Sequence, residues 1–268
     1  MDRNYPDFTY YNGEYYLNAG MSYQDLAEKL QNPDISHKKV KVTIPEGYTV
    51  FDIASTLEKK NVCSAKDFLK ACSTTEGYDY DWLADFPKND PNVGYILEGF
   101  LFPATYDFGE NSKATDIADA MLEAFDQRIT DEVKTYCKQR GYTLYQFVTL
   151  CSIVQKEALS KSSQGNIAST LENRLDKGMK IECDVTYYYA KALRDHGFSQ
   201  SVYDAYYTYR CPGLPAGPIA NPGTEIMTAT VEHPSTDYLY FFSDLKGNFH
   251  FAATYGEFES LKAKYPWQ

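Results

Sequence analysis

The sequence predicts an α+β fold, with a small βα-repeat module over residues 1–78 and a larger α+β domain over residues 79–268. Three observations carry the assignment. The pattern G-x-[ST]-x-x-D-[LI]-A-x-x-L occurs twice near the start, each copy preceded by a strand-like stretch. Between Thr115 and Lys177, apolar residues recur at helical spacing. After Tyr238 the chain turns to aromatic, strand-like residues on both sides of a Leu245, Lys246, Gly247, Asn248 turn, which reads as a hairpin.

Taken in order, residues 10–17 read as a strand with Asn12 and Gly13 as a turn, and GMSYQDLAEKL (20–30) as the helix after it. Residues 40–44, alternating Val40, Val42 and Ile44, and GYTVFDIASTL (47–57) repeat the unit. Ser22 and Thr49 suit helix caps, Asp25 and Asp52 suit the positive first turns, and Leu26/Leu30 and Ile53/Leu57 give the apolar stripes. A short helix starts at Ser64, and the Pro87 to Pro91 stretch marks a segment boundary. In LEGFLFPATY (97–106) apolar and aromatic residues surround Glu98, while Gly99 and Pro103 oppose a regular helix. Residues 115–128 form an amphipathic helix burying Ile117, Met121, Leu122 and Phe125. Residues 165–177 form another, burying Ile167, Leu171 and Leu175 and ending at Gly178. Asn173 lies off that row, toward solvent or a cleft.

IECDVTYYY (181–189) is expected to be a strand from its β-branched and aromatic content, with Asp184 bracketed by apolar residues. GLPAGPIANPG (213–223) is a stiff extended loop, suited either to presenting backbone groups to an extended ligand or to a plain rigid connection. A helix from about Thr224, strands at 238–243 and 249–253, and a short last helix complete the chain.

Composition narrows the function. With 24% charged and 43% hydrophobic residues over 268 positions, the chain is an ordinary globular one able to bury a sizeable core. A net charge of −11, with no long Lys/Arg cluster, argues against nucleic acid and anionic lipid as partners. The 25 tyrosines offer flat rings with a polar rim, which suit sugars as well as cores. No apolar run reaches the ~18 residues that span a bilayer. No signal peptide is evident, yet the chain opens inside a strand-and-turn pattern at 7–16, the mark of a longer parent. The six cysteines, Cys63, Cys72, Cys137, Cys151, Cys183 and Cys211, show no CxxC spacing, so no zinc site and mostly free thiols are expected. His37, His196, His233 and His250 are scattered, and no metal is expected.

TLYQFVTLCSIVQKE (143–157) is the stretch with chemistry in it. Thr143 and Gln146 read as a capping box starting a helix. Phe147, Cys151, Val154 and Ala158 form one apolar row, and Leu150, Ile153 and Glu157 a second beside it. Glu157 thus belongs to an apolar face near a negative helix end, and both circumstances raise its pKa, desolvation more than the dipole. A glutamate protonated near neutral pH suits a general acid. A surface pairing with Lys161 four residues on is the plain alternative.

The ordered strings LEGFLFPATY (97–106), SIVQKE (152–157), ENRL (172–175) with Gly178 and Met179, Asp184 with Thr186, YTY (207–209) and GLPAGPIANPG (213–223) resemble the YceG-like family of endolytic murein transglycosylases. The doubled βα unit resembles that family's LysM-like region. The resemblance implies cleavage of the β-1,4 bond between N-acetylmuramic acid and N-acetylglucosamine in peptidoglycan strands, leaving a 1,6-anhydro end. It also implies a single-pass membrane anchor outside this sequence, an extracytoplasmic location, and the company of cell-wall synthesis proteins. The family's catalytic glutamate maps onto Glu157. Glu98, Tyr106, Asn173, Asp184, Tyr209 and Asn221 are then expected to hold the glycan or orient Glu157, with Asp184 and Glu98 tuning its pKa. The sequence departs from the family at Gln155, where a glutamate is common, at Val185, where a proline is common, and at Phe249 and Phe258, where histidines are expected.

A lytic transglycosylase needs one carboxyl group, because the sugar's own 6-hydroxyl is the nucleophile. A hydrolase typically needs two, and Glu98 or Asp184 is a candidate for the second. A non-catalytic glycan-binding or scaffold protein is the rival from another class. A pyridoxal-phosphate lyase acting through Lys156 is discounted for want of a phosphate-binding cup, and no cofactor is expected.

Overall fold

Residues 21–31, 39–158 and 160–267 are described by the computed structural model, and the strand expected over 10–17 lies outside them. The chain runs α1 (Tyr23–Gln31), β1 (Lys39–Thr43), α2 (Val50–Lys59), α3 (Ala65–Ala71), a 3₁₀ turn at Asp81–Asp85, β2 (Thr105–Gly109), α4 (Ala114–Asp126) and α5 (Asp131–Arg140). It continues through α6 (Leu144–Glu157), α7 (Lys161–Asp176), α8 (Asp184–Asp195), α9 (Gln200–Tyr206), α10 (Thr224–Val231), β3 (Tyr240–Ser243), β4 (Phe249–Ala252) and α11 (Tyr255–Lys264). Helices with two small antiparallel sheets make this the expected α+β class.

The central element is α6. Its start is fixed by the Thr143/Gln146 capping box, with reciprocal bonds of 3.0 and 3.1 Å. Every residue from Phe147 to Val154 is buried, so this helix is wrapped on all sides rather than along one stripe. Its two polar residues there are satisfied locally: Thr149 donates to the Tyr145 carbonyl and Ser152 to that of Thr149, both at 2.7 Å. α7, α10, α5 and α8 pack around it.

Both copies of the repeat are capped alike. Asp25 answers Ser22 and Asp52 answers Thr49, each pair exchanging bonds between backbone N–H and side chain. The strand of the second copy, β1, pairs antiparallel with β2, from Lys39 opposite Gly109 to Thr43 opposite Thr105. Val50, Ile53, Ala54 and Leu57 of α2 lie in the same core as α4 and α6, which runs without a break past position 78. All six cysteines are free thiols.

Three local expectations change. Residues 181–189 are not a strand, because α8 begins at Asp184. Thr186, Tyr189, Ala190 and Leu193 are its buried residues, a helical period that continues past Tyr189 and outweighs the strand propensity of the Tyr run. The 213–223 loop does not face outward, because Gly217 to Gly223 are buried. Its backbone groups are taken up inside the protein: Ile219 N–H by Ser152 Oγ at 3.0 Å, Gly223 N–H by Gln155 Oε1 at 3.0 Å, and Asn221 N–H by the Tyr48 carbonyl at 2.9 Å. Finally, β2, α5 and α9 are elements that sequence patterning does not announce.

Candidate active site

Glu157 is the last residue of α6, half-buried on the wall of a cleft of about 600 Å³. Burial pushes its carboxyl up to about 7. The neighbouring Asp184 charge adds to the rise, while the Cys183 thiol and the Val185 backbone N–H, both hydrogen-bonded to it, oppose the rise. The Val185 contact places the carboxyl at the positive N-terminus of α8 as well as at the negative end of its own helix. Desolvation outweighs these contacts. Lys161 does not pair with Glu157; its ammonium bonds Glu225 at 3.1 Å.

The Cys183–Asp184 corner is locked from behind. Thr208 Oγ accepts the Cys183 N–H at 3.1 Å and lies 2.9 Å from Thr186 Oγ, which itself donates to the Cys183 carbonyl at 2.6 Å. Asp184 is also hydrogen-bonded by the Tyr209 hydroxyl. Glu182 just before the corner has φ +54°, a left-handed conformation costing roughly 1 kcal/mol in a non-glycine residue. It is held there by an ion pair with Arg174, whose other nitrogens donate to the Lys180 carbonyl at 2.7 Å and the Leu239 carbonyl at 2.9 Å.

Facing this polar wall is an aromatic one from the C-terminal hairpin and α11. Tyr240, Phe242, Phe249, Phe258 and Trp267 line the cleft. Phe249 and Phe258, the two positions expected to hold histidines, are therefore cleft residues. A cleft with clustered carboxyls on one side and flat rings on the other suits a hydroxylated ring ligand presenting both O–H groups and an apolar face.

Of the residues expected in the site, the structure brings together Glu157, Asp184 and Tyr209. Asn173 sits behind the aromatic wall, donating to the Thr236 and Tyr238 carbonyls at 2.9 and 3.0 Å and so holding the lead-in to β3. Glu98, Asn221 and Tyr106 do not line the cleft. Glu98 is fully buried, accepting from Val50 N–H at 2.8 Å, Asn221 Nδ2 at 2.7 Å and Gly99 N–H at 3.3 Å, and burial pushes it up to about 7. Asn221 is equally occupied, binding Leu101 N–H at 2.8 Å and the Tyr48 carbonyl at 2.9 Å. Tyr106 donates to the Phe102 carbonyl at 2.5 Å. Glu98 is not among the groups acting on Glu157, whereas Asp184 is.

Cys183, Arg174, Tyr240 and Phe242 are cleft residues that no pattern in the sequence singles out as part of a site. Cys183 and Arg174 each adjoin a residue expected there, Asp184 and Asn173. The hairpin residues carry no local signal, because only tertiary packing turns their side chains toward Glu157.

The sequence profile of the YceG-like family matches residues 3–264. A Bacillus subtilis protein named endolytic murein transglycosylase is 31% identical over 94% of this chain and 72% of its own length. A Streptococcus pneumoniae protein of the same name is 29% identical over 93% of this chain and 49% of its own length, so the chain spans about half of that relative. A crystal structure of a YceG-like protein from Listeria monocytogenes matches with a TM-score of 0.70 and 31% identity, covering 90% of this chain and 82% of that one.

Proposed function

Because the chain belongs to the YceG-like family, we propose that it is a murein transglycosylase cleaving the β-1,4 bond between N-acetylmuramic acid and N-acetylglucosamine inside glycan strands. The relatives' shared name supports the reaction class. The observation that carries the mechanism is one carboxyl group, Glu157, held near pH 7 by burial on the wall of a cleft with an aromatic face.

In this reading the protonated Glu157 donates to the glycosidic oxygen as the bond from the muramyl C1 to that oxygen breaks. The muramyl 6-hydroxyl then forms the new bond to C1 and gives its proton to the Glu157 carboxylate. The products are a free N-acetylglucosamine 4-hydroxyl and a 1,6-anhydromuramyl end, with no water consumed and the acid restored. Asp184 helps Glu157 keep its proton, and Val185 N–H steadies the carboxylate once the proton has left. The substrate lies outside the cytoplasmic membrane, which makes an extracytoplasmic location part of the proposal. Among the described residues no helix is long and apolar enough to cross a membrane.

Glu157→Gln keeps the shape and removes the proton donor. Incubated with purified peptidoglycan, the variant is expected to release anhydro-muropeptides at least ~10²-fold more slowly. Undiminished release rules the assignment out. Asp184 beside Glu157 in the cleft favours one second reading, a hydrolase with two carboxylates. Mass spectrometry of the products separates the two, since hydrolysis adds one water per bond cleaved, leaving a reducing muramyl end, and transglycosylation adds none.

A further inference from the structure

The lip of the cleft carries a cation that the reaction above does not use. Lys262 of α11 holds its ammonium 3.5 Å from the Trp267 ring centre and 5.0 Å from that of Phe258. Among the described residues no carboxylate lies within ion-pair distance of it, while Arg174 is taken by Glu182. The indole is 48% exposed yet anchored. Trp267 bridges to Asp244, Pro266 accepts the Leu245 N–H at 2.9 Å, and the Tyr265 ring stacks on His250 at 3.9 Å. An anchored, exposed indole beside an ammonium that no described carboxylate pairs with is a prepared surface rather than a frayed end.

Charge supports a ligand for it. The chain as a whole carries −11. In the cleft, however, Lys156, Arg174 and Lys262 stand against Glu182 and Asp184 alone whenever Glu157 is protonated. The cleft is thus cationic inside an acidic protein, which favours an anionic ligand.

We propose that Lys262 and Trp267 form a subsite for a carboxylate-bearing sugar, the indole covering the ring's C–H face and the ammonium pairing with the carboxylate of its ether-linked side chain. This deepens the transglycosylase reading and rests on it, because the muramyl residue is the sugar in that substrate that carries such a group. The carboxylate has two sources: the stem peptide on an intact strand, or the lactyl group itself once an amidase has removed the peptide.

The test uses the full chain in the Glu157→Gln background, so that strands are bound and not cut. Binding is measured to soluble intact strands, to amidase-stripped strands and to an uncharged β-1,4 N-acetylglucosamine oligomer of similar length. Adding Lys262→Met is expected to weaken binding to charged strands about 3-fold and to spare the uncharged oligomer, with Lys262→Arg restoring it. Trp267→Ala is expected to weaken all three, as loss of a shared ring platform requires. A loss confined to intact strands assigns the carboxylate to the stem peptide, a loss confined to stripped strands assigns it to the lactyl group, and a loss on both shows that the ammonium pairs with either. The subsite is overturned if Lys262→Met binds both charged ligands as before, or weakens the uncharged oligomer by the same factor. Failure of the reaction itself shows separately, as absence of anhydro products from the chain with Glu157 intact.

Discussion

Glu98 and Glu157 are raised to about the same value by the same cause, burial, yet only one of them meets the cleft. A perturbed pKa therefore does not by itself separate a carboxyl that faces a cleft from one enclosed in the frame; position does. In the proposed reaction the working form of Glu157 is the acid, so kcat/KM is expected to fall as pH rises through about 7. Asp184 raises that value by its charge. Asp184→Asn is accordingly expected to move the alkaline limb to lower pH, read from rates on soluble strands between pH 5 and 9. A limb that stays in place or moves upward contradicts the coupling. Glu157 itself is legible in the sequence, because helical spacing alone puts it on an apolar face; Cys183 and Val185, which hold it, belong to another helix and are not.

Between elements, Glu98 acts as a clasp. It joins the first N–H of α2 to Asn221 in the buried 217–223 loop, and Asn221 in turn holds Tyr48 and Leu101. Gly99 is required beside it: its φ is +89°, and a Cβ there would lie 2.5 Å from Pro218. Because the folded carboxyl binds its proton more tightly than the unfolded one, its contribution to stability is fully present below about 4.5 and is lost as pH rises through about 7. Glu98→Gln replaces one of two carboxyl oxygens, both of which accept an N–H, by an NH2 that cannot accept, and is expected to cost roughly 1–3 kcal/mol in urea unfolding at pH 5. The slope of stability against pH between 4.5 and 7 should flatten in the same variant. An unchanged midpoint at pH 5 would show that the clasp contributes nothing. Elements were legible where one period ran long enough, as in α4, α6 and α7, and misread at α8, where three consecutive tyrosines speak for a strand and only the residues after them restore the helical period.

For the whole molecule, the second βα unit is bound into everything else. β1 completes a sheet with β2, and α2 shares one core with α4 and α6. Expressing residues 79–268 alone removes β1 and α2 and leaves Phe108, Leu97 and their neighbours uncovered, so no cooperative thermal transition is expected, whereas the full chain should melt in one. A cooperative melt of the shorter chain would establish 79–268 as a self-sufficient domain. By itself the sequence determined the α+β class, the helix caps, the central helix and the carboxyl at its end, since each depends on spacing along one segment. Only the tertiary structure decided that Asp184 and Tyr209 join Glu157 while Glu98, Asn173 and Asn221 brace the frame, and that the final hairpin supplies the facing wall. Those are contacts between segments far apart in the chain, and no local period encodes which buried polar side chain will find a backbone partner and which will be left facing a cleft.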